Sequence, residues 1–277
     1  MKVGFIGLGS IGIFMARRLV RVGFEVTGCD IAPDMLAAFD EPGARREADP
    51  IAAVRSADIA GLCVRTDEQL EALAGDGRLF AALGEGGIAV IHSTVSPDLA
   101  RRLASVAAPH GVSLVDAGVS PGGDVIGEGK ASVFVGGGGD AVARARPYLE
   151  AFGTVFHLGE LGRGLEGKLI HNLASIAGFG LAASIMEIAR HLGFDQDVLR
   201  QAMMGGTAHS YALMATPGLL NPSGPGATGT VESLHDLLKK DVDHAMELAG
   251  WDNRHAKVMQ ASAQAMLDAL KERAKAI

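Results

Sequence analysis

Residues 2–12, KVGFIGLGSIG, join a short apolar run to three glycines with the spacing G-x-G-x-x-G. The apolar part has the composition of a buried strand, and the segment that follows, IFMARRLV, has the spacing of an amphipathic helix. Gly7 permits a tight turn, Gly9 lets the backbone approach a pyrophosphate, and Gly12 lets the helix pack closely on the strand. The stretch predicts the first strand, turn and helix of a dinucleotide-binding fold, with phosphates at the helix N-terminus.

The next β-type run, EVTGCD, ends at Asp30, eighteen residues beyond Gly12. A carboxylate at this place accepts hydrogen bonds from a ribose hydroxyl and repels a 2′-phosphate, and no arginine follows it in DIAPD. We therefore predict NAD in preference to NADP. The alternative is an ordinary glycine-rich turn. In the dinucleotide interpretation, Leu8, Ser10 and Ile11 also contact the cofactor.

The composition is that of a globular protein that acts on small ligands. The chain has 277 residues, of which 48% are hydrophobic, and a formal net charge of -7. Without a long basic run, this charge argues against a nucleic-acid partner. Cys29 and Cys63 both lie in apolar runs, and no export signal is visible, so we expect a cytoplasmic protein.

Residues 169–186, LIHNLASIAGFGLAASIM, form an uncharged stretch that is close to the length of a membrane span. The stretch contains His171, Asn172, two serines and several glycines and alanines, which are more typical of a helix packed inside a protein. We expect such a helix and no membrane partner.

Up to about residue 160, apolar runs of strand composition alternate with helical segments. This alternation predicts an α/β Rossmann-type domain, a doubly wound parallel sheet with helices on both faces. From Leu161 onward no convincing strand run occurs, and an all-α domain is predicted. We place the dinucleotide-binding domain at 1–160 and a helical domain for substrate binding and oligomerisation at 161–277, entered by a long helix from about 161 to 190. Residues 205–229 are predicted to be mainly loop with a short helical piece.

Five motifs occur in an order that resembles the β-hydroxyacid dehydrogenase family, which includes 3-hydroxyisobutyrate dehydrogenase, tartronate semialdehyde reductase and the cofactor domain of 6-phosphogluconate dehydrogenase. The resemblance covers nearly the whole chain. It implies an NAD(P)-dependent dehydrogenase that acts on the CH–OH group of a small acidic β-hydroxy acid to give a semialdehyde or keto acid, and that forms homodimers or homotetramers. The motifs are VGFIGLGSIGIFMARRL at 3–19, STVSP at 93–97, DAGVSPGG at 116–123, GRGLEGKLIHN at 162–172 and LLKKDVDHAMELA at 237–249.

Lys168 and Asn172 lie four residues apart in a helical segment, so their side chains share one face. The surrounding segment is apolar, and desolvation of the amine would lower the pKa of Lys168 toward neutrality, which suits proton transfer. The spacing alone also allows a lysine that extends to water. The resemblance implies that Lys168 is the general acid and base and that Asn172 orients the substrate.

The resemblance also assigns the stretch after Asp116. Ser120, Gly122 and Gly123 match a motif whose hydroxyl and backbone N–H groups hold a substrate carboxylate, although a plain turn would explain the same residues. Pro121 departs from the glycine usual there and removes one N–H donor. Gly118 stands where proline is usual.

Further cofactor contacts are implied at Thr94, Val64, Arg65 and Lys240. Thr94 could instead belong to the start of a helix that has Ser96 as its N-cap. Arg65 departs from the proline common at its position. Lys240 could instead be one member of a charged pair on an exposed helix face.

No metal site is predicted, because the histidines lack metal-ligand spacing with one another or with nearby carboxylates. Two other functions remain open. An imine reductase shares the architecture, but generally lacks a lysine at the position of Lys168. A non-catalytic dinucleotide-binding protein would be expected to have lost the residues at its catalytic positions. The histidines considered are His171, His209 and His235.

Overall fold

The computed structural model describes residues 1–219 and 231–276. Two compact units make up the chain, Met1–Lys168 and Leu169–Ile277. The first contains a single mixed sheet with helices, and the second is helical throughout its described residues. The α/β Rossmann-type domain followed by an all-α region, as predicted, is therefore confirmed.

Eight strands form the sheet of the first unit, in the spatial order β3-β2-β1-β4-β5-β6-β7-β8. Along this order, each pair of neighbouring strands from β3 to β6 is parallel, and β8 is parallel to β7. The strands are β1 (Lys2–Ile6), β2 (Glu25–Cys29), β3 (Arg45–Glu47), β4 (Ile59–Leu62), β5 (Ile88–Ile91), β6 (Ser113–Ser120), β7 (Ala131–Gly136) and β8 (Gly153–Gly159).

The predicted parallel pairing holds for every pair of neighbouring strands but one, since β7 runs antiparallel to β6. The connection 121–130 holds only a four-residue helix, which is too short for the crossover that a parallel pair needs. Strand β3 was also missed by the sequence analysis. It is three charged residues at the sheet edge, where apolar periodicity gives no signal.

Alternate residues of the central strands enter two separate cores, one on each face of the sheet. In β1, Phe5 packs in one core and Ile6 in the other, and in β5 Val90 and Ile91 divide in the same way. This is the period-two alternation of a strand buried on both faces, and it explains the near-continuous apolar runs. The covering helices are α1 (Gly12–Arg21), α2 (Pro33–Ala38), α3 (Pro50–Val54), α4 (Asp67–Ala74), α5 (Arg78–Leu83), α6 (Pro97–Ala107), α7 (Asp124–Gly127) and α8 (Gly139–Glu150), with a 3₁₀ turn at Ala108–His110.

His92, just past β5, links β5 to β6 and α8 in the core that contains Phe5. Its Nδ1–H donates to Ala117 O at 2.7 Å, and its Nε2 accepts from the Tyr148 hydroxyl at 2.7 Å. Burial lowers the pKa of His92 to about 4, so the ring is neutral at pH 7. This network anchors the end of β5 from which Ser93 and Thr94 follow.

The second unit contains α10 (Gln196–Met204), α11 (Tyr211–Leu219), α12 (Val231–Ala249), α13 (Arg254–Ala276) and most of α9 (Arg163–His191). Part of the predicted loop at 205–229 is helical, since α11 lies within it, and residues 220–230 lie outside the described residues. The residues of α12 that are buried include Val242, Ala245 and Met246, which pack with α9 and α13 in one core.

Helix α9 has apolar residues on both its buried and its exposed face. Leu173 and Ile176 are buried in the helical core, whereas Leu181, Ile185 and Ile188 are exposed. By length and composition alone α9 could cross a membrane, and it is the one such helix in residues 1–219 and 231–276. The expectation that the whole stretch 169–186 is buried therefore holds for one face only.

Candidate dinucleotide and hydroxy-acid site

The predicted cofactor and substrate residues of the first unit gather at the carboxyl ends of the parallel strands. The glycine turn follows β1, Asp30 follows β2, and Ser120 ends β6. Val64 and Arg65 follow β4, and Thr94 follows β5. Strands β2 and β4 flank β1, so the chain direction across the sheet reverses at the glycine turn. Ligands of open α/β sheets bind at such a switch point.

The three glycines of the turn have different structural roles. Gly7 has a φ of +95°, and a side chain there would overlap Cys63 O. A Cβ on Gly12 would overlap Gly7 O, so the helix can lie this close to the strand only with glycine at that place. A Cβ on Gly9 would meet nothing within 4 Å. The space above Gly9 is open and fits a pyrophosphate group.

Asp30 is held by two backbone groups beside this turn. Its Oδ2 accepts from Leu8 N at 2.7 Å, and its Oδ1 accepts from Ala32 N at 2.8 Å. A carboxylate oxygen has two lone pairs, so each oxygen can accept one more hydrogen bond. The carboxylate is thus pre-oriented with acceptor capacity for ribose hydroxyls.

The other cofactor candidates flank the turn with less definite geometry. Val64 is half-buried, and Arg65 is exposed with its backbone N–H donating to Gln69 Oε1 at 2.9 Å. Thr94 is half-buried and is not the helix cap, because the Ser96 hydroxyl accepts from Asp98 N at the start of α6. Ser96 is the N-cap of α6, as predicted.

The end of β6 meets the glycine turn. A Cβ on Gly122 would overlap Ile11 Cδ1, so the loop after Ser120 packs directly on the dinucleotide turn. Among the described residues, the N–H groups of Gly122 and Gly123 make no hydrogen bond to a backbone carbonyl. Pro121 and Gly122 are exposed. The loop therefore presents two backbone N–H groups that have no backbone acceptor among the described residues.

Lys168 is buried, with 8% of its surface exposed, and its stem lies on β6. A Cβ on Gly118 would come within 2.8 Å of Lys168 Cγ and 3.0 Å of Lys168 Cβ, closer than real contacts allow. The missing side chain at Gly118 makes room for the lysine. In the sequence alone, Gly118 stands out only because proline is usual at its position.

Asp116, which has no role predicted from the sequence, connects β6 to the start of α9. Its Oδ1 accepts from Gly162 N and its Oδ2 from Leu165 N, both at 2.6 Å. The residue is fully buried, and this burial raises the pKa of Asp116. The signal for this residue was an acidic side chain inside the otherwise apolar run SLVDAGVS.

We expect Asp116→Asn to lower the free energy of unfolding by about 2–3 kcal/mol, because one amide hydrogen would face a backbone N–H in a buried place. Urea denaturation measures this loss. Asp140→Asn is the matched control, since Asp140 is exposed in the first turn of α8, and it should change the free energy of unfolding by less than about 0.5 kcal/mol. Equal effects of the two substitutions would contradict the anchoring role of Asp116.

In the helical unit, Asn172 and Lys240 share one partner, Asp241. Asn172 Nδ2 donates to Asp241 Oδ2 at 2.7 Å, and Lys240 Nζ lies 3.3 Å from Asp241 Oδ1. Lys240 is half-buried, whereas Lys239 is exposed and pairs with Asp243. Asp241 was not singled out from the sequence, although it lies inside the quoted motif LLKKDVDHAMELA.

Residues 1–219 and 231–276 contain no group of three or more His, Cys, Asp or Glu side chains placed to hold a metal ion. Of the three histidines considered, His235 is buried with its Nδ1 3.0 Å from Asp236 Oδ1, and His209 is exposed. His171 is half-buried.

The chain is similar to known proteins over most of its length. The family model of the NAD binding domain of 6-phosphogluconate dehydrogenase matches residues 2–160. The chain is 30% identical to 3-hydroxyisobutyrate dehydrogenase of Pseudomonas aeruginosa over 252 residues, which is 88% of this chain and 84% of the relative. It is also 30% identical to the NAD-dependent L-serine dehydrogenase of the same organism, over 90% of this chain and 85% of the relative.

Among solved structures, the chain is similar to Mycobacterium tuberculosis 3-hydroxyisobutyrate dehydrogenase with L-serine. The TM-score is 0.81 at 25% sequence identity, and the match covers 99% of this chain and 94% of that one. The likeness extends beyond the dinucleotide-binding unit into the helical one.

Proposed function

The chain belongs to the β-hydroxyacid dehydrogenase family, and from this premise we propose that it transfers a hydride between a small acidic β-hydroxy acid and NAD, with Lys168 as general acid and base. The observation that carries the proposal is the position of β6. This strand brings the Ser120 loop against the glycine turn at Ile11, and its Gly118 accommodates the stem of Lys168. The groups to which we assign anion binding, cofactor binding and proton transfer would thus lie close to β6.

The cofactor would lie on the glycine turn, with its phosphates above Gly9 and an adenosine ribose on Asp30. NAD, when bound, supplies the hydride acceptor. The carboxylate of Asp30 favours NAD because it repels the 2′-phosphate of NADP, and the exposed Arg65 lies after a different strand. We also assign contacts with the cofactor to four further residues, Val64, Arg65, Thr94 and Lys240.

The substrate acid group would be held by the hydroxyl of Ser120 and the N–H groups of Gly122 and Gly123. Backbone N–H groups are good hydrogen-bond donors to an anion, because the backbone needs no reorganisation to bind it. Pro121 contributes no N–H, so the loop offers one donor fewer than a loop with glycine at that position. This difference favours a substrate whose acid end differs from that of the relatives.

Proton transfer would be carried out by Lys168. In the oxidative direction, its neutral amine takes the proton of the β-hydroxyl as the C–O bond becomes a carbonyl and the hydride leaves the same carbon. The burial of Lys168 suits this role, because desolvation disfavours the charged form of an amine. Asn172 would orient the substrate.

The test is an assay of NADH formation with NAD and a panel of β-hydroxy acids, among them 3-hydroxyisobutyrate, serine and threonate. We expect turnover of at least one acid, with kcat/KM about tenfold or more higher for NAD than for NADP, a difference of about 1.4 kcal/mol. Better use of NADP would contradict the role assigned to Asp30. Cyclic imines with NADH or NADPH serve as the comparison panel, and their exclusive reduction would identify an imine reductase. Binding of NAD without any turnover would identify a non-catalytic protein.

We further propose that the protein is a cytoplasmic homodimer or homotetramer associated through its helical unit. Supporting this, the outward face of α9 presents Leu181, Ile185 and Ile188 at helical spacing, and an exposed apolar stripe of this kind commonly marks an interface.

A further inference from the structure

Asp241 is a buried carboxylate in α12, with 4% of its surface exposed. Its two oxygens have different neighbours. Oδ2 accepts a hydrogen bond from Asn172 Nδ2 at 2.7 Å. Oδ1 lies 3.3 Å from Lys240 Nζ, an ion pair without hydrogen-bond geometry, since Oδ1 has no hydrogen-bond partner among the described residues. A buried charge is tolerated where it has such partners.

The contact with Asp241 decides which way the Asn172 amide points. An amide side chain can be turned to place either its oxygen or its nitrogen at a given position. A carboxylate oxygen accepts and has no hydrogen to donate, so only the nitrogen of Asn172 can face Asp241. The carbonyl oxygen of Asn172 therefore points away from Asp241.

We propose that Asp241 is a positioning residue, which holds Asn172 so that the amide carbonyl is offered to the ligand and accepts a hydrogen bond from a ligand hydroxyl. The inference rests on the proposed function and deepens it. The single hydrogen of the bound hydroxyl is donated to this oxygen until it turns to the Lys168 amine for proton transfer, whereas the carbonyl of the oxidised product has no hydrogen to donate. Asp241, acting through Asn172, thus favours binding of the alcohol form.

The first test is a double-mutant cycle in kcat/KM for oxidation of the best hydroxy acid. Asp241→Asn leaves the shape but removes the fixed direction of the hydrogen bond, since an amide can donate as well as accept. We expect Asp241→Asn and Asn172→Ala each to lower kcat/KM by about tenfold. The double variant should be no worse than Asn172→Ala alone. Effects that multiply would overturn the inference and leave the proposed function standing.

A second readout separates positioning from a structural role. The KM for the hydroxy acid should rise more in Asp241→Asn than the KM for the carbonyl product, and equal rises would count against the inference. Asp243→Asn is the matched control on the same helix, because Asp243 pairs with Lys239 near the surface, and it should leave both KM values within about twofold.

The inference can be judged even without turnover. If the wild-type protein oxidises no hydroxy acid, the proposed function fails, and the same cycle is then measured as free energies of unfolding. The cost of Asp241→Asn should shrink when Asn172 is already alanine, because the two side chains share one hydrogen bond. Additive costs would show that Asp241 does not act on Asn172.

Discussion

Lys168→Met is expected to lower kcat for hydroxy-acid oxidation by about a thousandfold, within the range found for a positioned general base. Methionine keeps an unbranched stem that can lie on Gly118, so the packing on β6 is retained while the amine is lost. The free energy of unfolding should change by less than about 1.5 kcal/mol. Steady-state kinetics with the best acid of the panel, together with urea denaturation, measure the two quantities.

Two further variants test whether the loss of kcat is due to the loss of proton transfer by Lys168. Lys168→Arg keeps the positive charge but cannot exchange a proton near neutral pH, so it should be as inactive as Lys168→Met if the role is proton transfer. Lys239→Met removes an exposed lysine and should retain wild-type kcat within about twofold. If Lys168→Met kept more than a tenth of the wild-type kcat, another group would have to move the proton.

Local chemistry explains which features could be predicted from the chain alone. The glycine turn was predictable because local backbone geometry requires glycine there. Gly7 has a positive φ, and Gly12 lies too close to the Gly7 carbonyl for a side chain. The core strands were predictable because burial on both faces leaves a continuous apolar run. Asp30 was predictable because its distance from the turn is set by one helix and one strand.

Long-range pairing explains what could not be predicted. Asp116 accepts hydrogen bonds from backbone groups 46 and 49 residues further along the chain, and Asp241 accepts one from Asn172, 69 residues away. No periodicity encodes such partners. The contact between Gly118 and Lys168 is also long-range. Only the packing of α9 on β6 shows that the absence of a side chain at Gly118 makes room for Lys168. The sequence could therefore identify Lys168 and Asn172 as candidates, but not the residues that hold them in place.

Gly9→Ala is expected to weaken NAD binding by about 10- to 100-fold while leaving the free energy of unfolding of the unliganded protein unchanged within about 0.5 kcal/mol. The reason is that an added Cβ meets nothing within 4 Å in the protein but occupies the space into which the pyrophosphate must come. Calorimetric titration with NAD measures the affinity, and denaturation without NAD measures the stability.

Gly12→Ala, the same substitution three residues later, should by contrast lower the stability of the unliganded protein. A Cβ on Gly12 overlaps Gly7 O, a backbone atom that cannot move without displacing the strand-to-helix turn, so Gly12→Ala should destabilise the unliganded protein by about 1–3 kcal/mol. A loss of stability at Gly9 equal to that at Gly12 would mean that the turn is merely structural. A loss of NAD affinity at Gly9 without a loss of stability would place the pyrophosphate above that residue.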